Sequence, residues 1–231
     1  MGEIMINLRY FCIDFLNRMP VIYNQDIDDH TQLAVWKIEE GEEELLSGLQ
    51  LKQHELDFLS TLSQGKRLLQ WLSTRFLLRT MLNTSEYIDC RMDEHGKPYL
   101  ANSPYSISLS HSYDYAAVMI GKEKGVGVDI ELIKPKIHRI QQKFLNGPEL
   151  AQPSVKDNTE ALYACWCIKE AVYKWYGKKG LEFRQHIHIQ PFALKDNGSV
   201  TVLVDLPTGT QTLTVCYFNT IQGYMLGYVV A

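Results

Sequence analysis

Gly125-Val126-Gly127-Val128-Asp129-Ile130-Glu131 is a short run in which β-branched residues alternate with small or acidic ones. That alternation reads as a β-strand. Residues two apart on a strand share a face, so Asp129 and Glu131 present two carboxylates side by side while Val128 and Ile130 point into a core. Like charges held close repel, and a fold that gathers them usually supplies a cation. Hard carboxylate oxygens of this kind suit Mg²⁺, which takes one or two carboxylates together with substrate phosphates. An edge strand with a wet acidic face has the same pattern, and spacing alone leaves both readings open.

The chain around this strand has 231 residues, of which 45% are hydrophobic. That is ample for one large domain or two small ones. A net charge of -4 argues against broad nucleic-acid binding. No apolar run approaches the ~18 residues that a membrane span needs. Glu3, Arg9, Asp14 and Arg18 interrupt the stretch from Met1 to Tyr23, so no signal peptide is expected there. The five cysteines follow no framework, and Cys165 and Cys167 fall on different sides of an expected helix. Reduced thiols in a cytoplasmic protein are the simplest reading.

The N-terminal part reads as β-rich, with short apolar runs at Ile4–Ile13, Pro20–Tyr23 and Leu33–Ile38. A helical stretch covers roughly Leu49 to Leu82, broken near Ser63-Gln64-Gly65. Leu68, Leu69, Leu72 and Phe76 share one face of its second half, and Arg67, Trp71, Arg75 and Arg79 make a basic stripe along another. That stripe either grips phosphate or lies as a solvated face with snorkelling arginines. Strands are expected at Tyr87–Met92, Pro98–Leu100, Tyr105–Leu109 and Tyr115–Ile120, the last two forming a hairpin. Ile133 to Leu150 reads as a partly helical connection. A second long helix spans about Thr159 to Tyr176, with Asp157 and Glu160 as a capping box and Gly177 just past its end. Its buried stripe includes Ala164, Ile168, Ala171 and Trp175, with Tyr163, Trp166, Glu170 and Lys174 opposite. Three or four antiparallel strands fill Ile187 to Ala231, with turns at Asn197-Gly198 and Thr208-Gly209.

Trp71-x-x-x-Arg75-x-x-x-Arg79 and Trp166-x-x-x-Glu170-x-x-x-Lys174 share their spacing, each on a long helix flanked by strands. The expected fold is therefore α+β, with two similar subdomains in a pseudo-twofold arrangement. Each would be a long helix on a small antiparallel sheet, one spanning 1–121 and the other 122–231. The internal pairing makes a monomer the expected state.

Other constellations are individually weak. Glu170 and Lys174 stand one helical turn apart, as in any i,i+4 ion pair. In Ser108-Leu109-Ser110-His111-Ser112, adjacent Ser110 and His111 point to opposite faces of a strand. That excludes a simple Ser-His nucleophile and leaves phosphate contacts or a polar turn. Lys97, next to Gly96, is either a phosphate contact or a solvated loop lysine.

Taken in order, Gly96-Lys97-Pro98-Tyr99, Ser108 to Ser112, Gly127 to Glu131, and Trp166-x-x-Lys169-Glu170-Ala171-x-x-Lys174-x-x-Gly177 resemble the 4′-phosphopantetheinyl transferases. The two-part length is similar to the Sfp-type branch rather than to the short trimeric carrier-protein synthases. The resemblance covers roughly Leu49 to Gly180. It implies transfer of the phosphopantetheine arm of coenzyme A to a serine of an apo acyl or peptidyl carrier protein, with release of 3′,5′-ADP. By the same resemblance Asp129, Glu131 and Glu170 hold Mg²⁺, and Glu170 takes the serine proton. Lys174 neutralises the leaving group. Lys97, Ser110 and His111 bind the nucleotide end, His111 at the 3′-phosphate, with Arg67 adding a phosphate contact. Ile137, Ile140 and Phe144 would receive the carrier. A carrier-binding module without catalysis and a metal-dependent hydrolase acting on coenzyme A or a nucleotide are the alternatives from other classes.

Overall fold

The computed structural model describes residues 21–62 and 65–231. The strand expected at Ile4–Ile13 lies outside them. In chain order the elements begin with β1 (Val21–Asp28), β2 (Thr31–Lys37), α1 (Glu42–Ser47), α2 (Gln53–Thr61) and α3 (Lys66–Leu82). Next come β3 (Cys90–Met92), β4 (Pro98–Leu100), β5 (Tyr105–Ser112), β6 (Tyr115–Lys122) and β7 (Val126–Leu132). A 3₁₀ turn (Pro135–Arg139), α4 (Gln141–Phe144) and α5 (Gly147–Leu150) lead to the long α6 (Thr159–Tyr176). The chain then runs through α7 (Phe183–His186), β8 (Ile187–Ile189), β9 (Asn197–Leu206), β10 (Gly209–Phe218) and β11 (Tyr224–Val230).

Two antiparallel sheets result, in the orders β1-β2-β6-β5 and β7-β11-β10-β9-β8, beside the small β3-β4 ribbon. Strand alternation sorts the side chains into layers. Ala34 and Trp36 of β2 and Val118 and Ile120 of β6 pack on Leu68, Leu72 and Phe76 of α3. Their neighbours Leu33, Val35, Ala117 and Met119 turn the other way and meet Val126, Val128 and Ile130 of β7. On the far side of the second sheet, Val202, Val204, Val215 and Val229 pack on Ala164, Ile168 and Ala171 of α6. The mixed α/β expectation with a long helix on each antiparallel sheet therefore matches the architecture. No helix among the described residues is long and apolar enough to cross a membrane.

The edge strands β5 and β7 face each other and are joined by side chains. The backbone N–H groups of Val128, Ile130 and Leu132 donate to the hydroxyls of Ser108, Ser110 and Ser112 at 2.9, 3.3 and 3.1 Å. An edge strand left with bare N–H groups would template aggregation; here alternate serines occupy three of them.

The helix α6 approaches its sheet closely because two strand positions lack a side chain. A Cβ on Gly127 would collide with the Ala171 carbonyl and stand 2.8 Å from the Trp175 nitrogen. One on Gly227, in the neighbouring strand, would stand 2.7 Å from the Cys167 carbonyl carbon. The helix starts at Asn158, whose side chain accepts from Ala161 N–H at 3.1 Å. The expected capping pair is thus displaced by one residue, since Asp157 has φ of 55° and lies outside the cap. Gly177 ends the helix in the left-handed region with φ of 69°.

Three local expectations change. Only Cys90–Met92 of the 87–92 run is strand. Asn197 and Gly198 do not form a turn but pair with Phe218 and Tyr217 at the start of β9. Tyr163, expected on the outer face of its helix, is 2% exposed.

Candidate active site

The acidic strand and the second long helix meet as their periodicities dictate. On β7, Asp129 and Glu131 face α6, because Val128 and Ile130 are committed to the inter-sheet core. On α6, Glu170 and Lys174 are one turn apart and lie above the glycine-bared strand. Lys174 Nζ donates to Asp129 Oδ1 at 2.8 Å and to the Val128 carbonyl at 3.0 Å. The Ser110 hydroxyl donates to the same Oδ1 at 2.8 Å, and the Ser112 hydroxyl donates to Glu131 Oε2 at 2.8 Å.

Three carboxylates thus surround one ammonium. Burial, then the charge of Asp129 and more weakly that of Glu131, push the Glu170 carboxyl up to about 7, against the opposing pull of Lys174. Glu131 is raised as well, by burial first and by Asp129 second. The thiol of Cys167, fully buried beneath them, is pushed up by burial and by the same two acids.

Asp129 is 5% exposed, and its Oδ2 is buried without a hydrogen-bond partner. A buried, unsatisfied carboxylate oxygen is costly, and a hard cation is the group that would satisfy it here. The donor set and its surplus negative charge fit a divalent ion. Among the described residues, no three His, Cys, Asp or Glu side chains already stand in a ligand cage; the Lys174 ammonium rests against Asp129 instead.

A cleft of about 330 Å³ opens beside Lys174. Its polar walls are the cations Lys97, Arg75 and Lys174 with the imidazoles of His95 and His111, and its apolar walls include Phe58, Trp71, Met92 and Tyr173. Lys97 reaches across from the turn before β4 and donates to the Trp175 carbonyl at 2.6 Å, so it also closes the end of α6. Burial holds its ammonium below the ordinary lysine value. The His111 imidazole is lowered by desolvation and by Lys174.

The sequence-derived residues separate into groups. Asp129, Glu131, Glu170 and Lys174 come together, and Lys97 and His111 line the adjoining cleft. Ser110 does not line the cleft, and its hydroxyl donates to Asp129 and accepts from the Ile130 N–H. Ser108 is the serine on the cleft wall. Arg67 is exposed and is not among the residues lining the cleft, whereas Arg75, two turns further along the same helix, is. Arg75 lies 4.3 Å from the Trp71 ring centroid, and its Nε is buried without a partner. The i,i+4 spacing of Trp71 and Arg75 signalled this stack, but periodicity alone did not fix which arginine faces inward. Ile137 and Phe144, expected as docking contacts, are 2% and 1% exposed and belong to the core. Lys169, adjacent to Glu170, is turned away from the site and forms a fully buried ion pair with Glu149 at 2.7 Å.

Comparison with known proteins gives one consistent family. Residues 125–229 match the model of the 4′-phosphopantetheinyl transferase superfamily. A 4′-phosphopantetheinyl transferase of Bacillus subtilis is 29% identical over 146 residues, covering 61% of this chain and 62% of that protein. AcpT, a 4′-phosphopantetheinyl transferase of Salmonella typhimurium, is 34% identical over 120 residues, covering 49% of this chain and 62% of its own length. Sfp of Bacillus subtilis strain 168 is 27% identical over 145 residues, covering 60% and 61%. The chain thus spans about three fifths of the length of these relatives.

Proposed function

We propose, from the match of residues 125–229 to the 4′-phosphopantetheinyl transferase superfamily model, that the chain is a member of that superfamily and moves the phosphopantetheine arm of coenzyme A to a serine hydroxyl of an apo carrier protein. The reading rests on one observation: the acids of β7 meet the Glu170–Lys174 pair of α6, and Lys174 is shared with a cleft lined with Lys97, Arg75 and His111.

In this proposal Asp129, Glu131 and Glu170 would hold Mg²⁺, which would supply charge neutralisation to the pyrophosphate. Glu170, as a carboxylate beside the acceptor, accepts the proton of the carrier serine. The serine oxygen forms a bond to the phosphorus that carries the pantetheine arm, the bridging P–O bond breaks, and 3′,5′-ADP leaves. Lys174 Nζ neutralises the charge that develops on the leaving phosphate. Lys97, Arg75 and His111 hold the nucleotide half, while Ser110 acts through Asp129 by fixing its carboxylate. Positioning and charge neutralisation account for most catalysis in phosphoryl transfer.

The same proposal divides the chain at the last residue of β6, into 1–121 and 122–231, and takes the protein to act as a cytoplasmic monomer. The described cysteines, all free thiols, suit that compartment.

Mass spectrometry tests the proposal. The protein is incubated with coenzyme A, Mg²⁺ and a panel of apo acyl and peptidyl carriers. A carrier heavier by one phosphopantetheine supports transfer. Unchanged carrier with intact coenzyme A would leave a binding module, and coenzyme A cleavage without carrier modification would leave a hydrolase.

A further inference from the structure

Two openings share the helix α6. Tyr173 and Lys174 line the cleft already described, whereas Trp166 and Glu170 line a second groove of about 880 Å³. Asn146, just before α5, and Phe183 and Arg184 of α7 contribute its other walls. Trp166 packs edge-on against Phe144 and Phe183, with ring centroids 5.1 and 5.8 Å apart. These walls have little of their own to hold them. The helices α5 and α7 have four residues each, and no residue of α7 is buried. Helices that short are not stable by themselves.

The buried Lys169–Glu149 pair reaches the same walls from the core. Lys169 Nζ donates to Glu149 Oε2 at 2.7 Å and to the Phe183 and Ile187 carbonyls, each at 2.8 Å. The two carbonyls bracket α7, one on its first residue and the other just past its last. Glu149 accepts the Ile189 N–H on Oε1 and the Asn146 N–H on Oε2, both at 2.8 Å. An ammonium has three donors, and here each has its own acceptor. The start of α5, the whole of α7 and the strand β8 are thereby tied to α6 at the residue next to Glu170. A buried ion pair adds little stability over well-packed apolar residues of like volume; what this one supplies is direction. We propose that Lys169 and Glu149 are positioning residues for the acceptor side of the reaction. Given the transferase reading, on which this inference rests, the carrier serine reaches Glu170 through the groove that Glu170 lines. The pair touches neither substrate, and it fixes the wall that faces Glu170. Its removal loosens the acceptor side and leaves the nucleotide cleft as it is.

The test compares the intact wild-type protein with the double variant Lys169→Met, Glu149→Leu, in which an apolar pair replaces the ionic one. Three quantities are read: amide hydrogen exchange by mass spectrometry, the affinity for 3′,5′-ADP by titration calorimetry, and turnover of an apo carrier at saturating coenzyme A. Exchange should speed up across Leu181 to Ile189 and stay level in β5, β6 and β7. The kcat/KM for the carrier should fall by roughly 10- to 100-fold, the scale for a reacting group displaced by about an ångström. The 3′,5′-ADP affinity should not change. Should the double variant fail to fold, Glu149→Gln, which keeps the shape and one acceptor oxygen, is read in its place for the same selective loss. Carrier turnover equal to wild type, or unchanged exchange across α7, overturns the positioning role. Equal losses in carrier turnover and 3′,5′-ADP affinity overturn it too, since they mark general damage. In each of those cases the wild type still transfers and the transferase reading stands. A wild type that modifies no carrier sinks that reading, and this inference with it.

Discussion

Gly127 lies directly beneath the backbone of Ala171, with no room for even a methyl group between strand and helix. The contact sets the height of α6 above β7, and therefore the reach of Glu170 and Lys174 toward Asp129. Gly127→Ala must push the helix outward. We expect a loss of about 1–3 kcal/mol in stability, the usual cost of overpacking, together with a fall in turnover larger than the stability loss explains. Urea denaturation and carrier modification, measured on the same preparation, check both. Wild-type turnover in a destabilised variant would show that the helix height is not critical.

Of the three site acids Asp129 is the most enclosed, held by Ser110 and Lys174 with one oxygen unsatisfied. Asp129→Ala should lower turnover by roughly 10²–10³, about 3–4 kcal/mol, as for loss of one strong transition-state stabiliser. Far-UV circular dichroism should be unchanged. Retained activity would remove Asp129 from the catalytic set.

Lys97 serves two partners: the cleft and the last turn of α6. Lys97→Ala should weaken coenzyme A by about 1.5–3 kcal/mol, the value of one charge-assisted contact. Isothermal titration would read it directly, and an unchanged affinity would confine Lys97 to capping the helix.

Glu170 makes the stability of the ion-free protein depend on pH. Its carboxyl is raised from the ordinary 4.5 to about 7, by burial first and Asp129 second. Between those values the folded state keeps a proton that the unfolded state has released. The stabilisation from this group is therefore full below pH 4.5 and is lost as pH rises toward 7. Denaturation midpoints in chelator should fall across that window, and Glu170→Gln should flatten the slope. Millimolar Mg²⁺ should restore the midpoint at pH 8 in the wild type more than in the variant.

Lys169 and Glu149 are 0% and 2% exposed, and Lys169 Nζ also donates to the Phe183 and Ile187 carbonyls. Lys169→Met alone leaves a buried carboxylate without its cation and should cost about 3–5 kcal/mol. Adding Glu149→Leu should recover part of that loss in thermal denaturation. If the single variant is as stable as wild type, the pair carries little of the stability.

Much of this was legible in the sequence where a period survives folding. Alternation put Asp129 and Glu131 on one face of a strand, and the 3.6 period bounded α6 at Thr159 and Tyr176. What escaped depends on contacts between distant residues. Ser110 looked like a ligand contact because a serine in a polar turn is indistinguishable from one whose hydroxyl is taken by Asp129, nineteen positions away. Phe144 looked available to a partner, yet it packs edge-on against Trp166. Arg67 and Arg75 share a stripe, and only the placement of Trp71 and the β3-β4 ribbon decides which one meets the cleft. Lys169 sits beside a site residue in sequence but a third of a helical turn away in direction, which turns it into the core.

The serine rungs between β5 and β7 have a mechanical consequence. Two of the rungs, Ser110 and Ser112, also hold the acids of β7. The same two hydroxyls therefore stitch one sheet to the other and aim the carboxylates, so replacing either serine should disturb both at once.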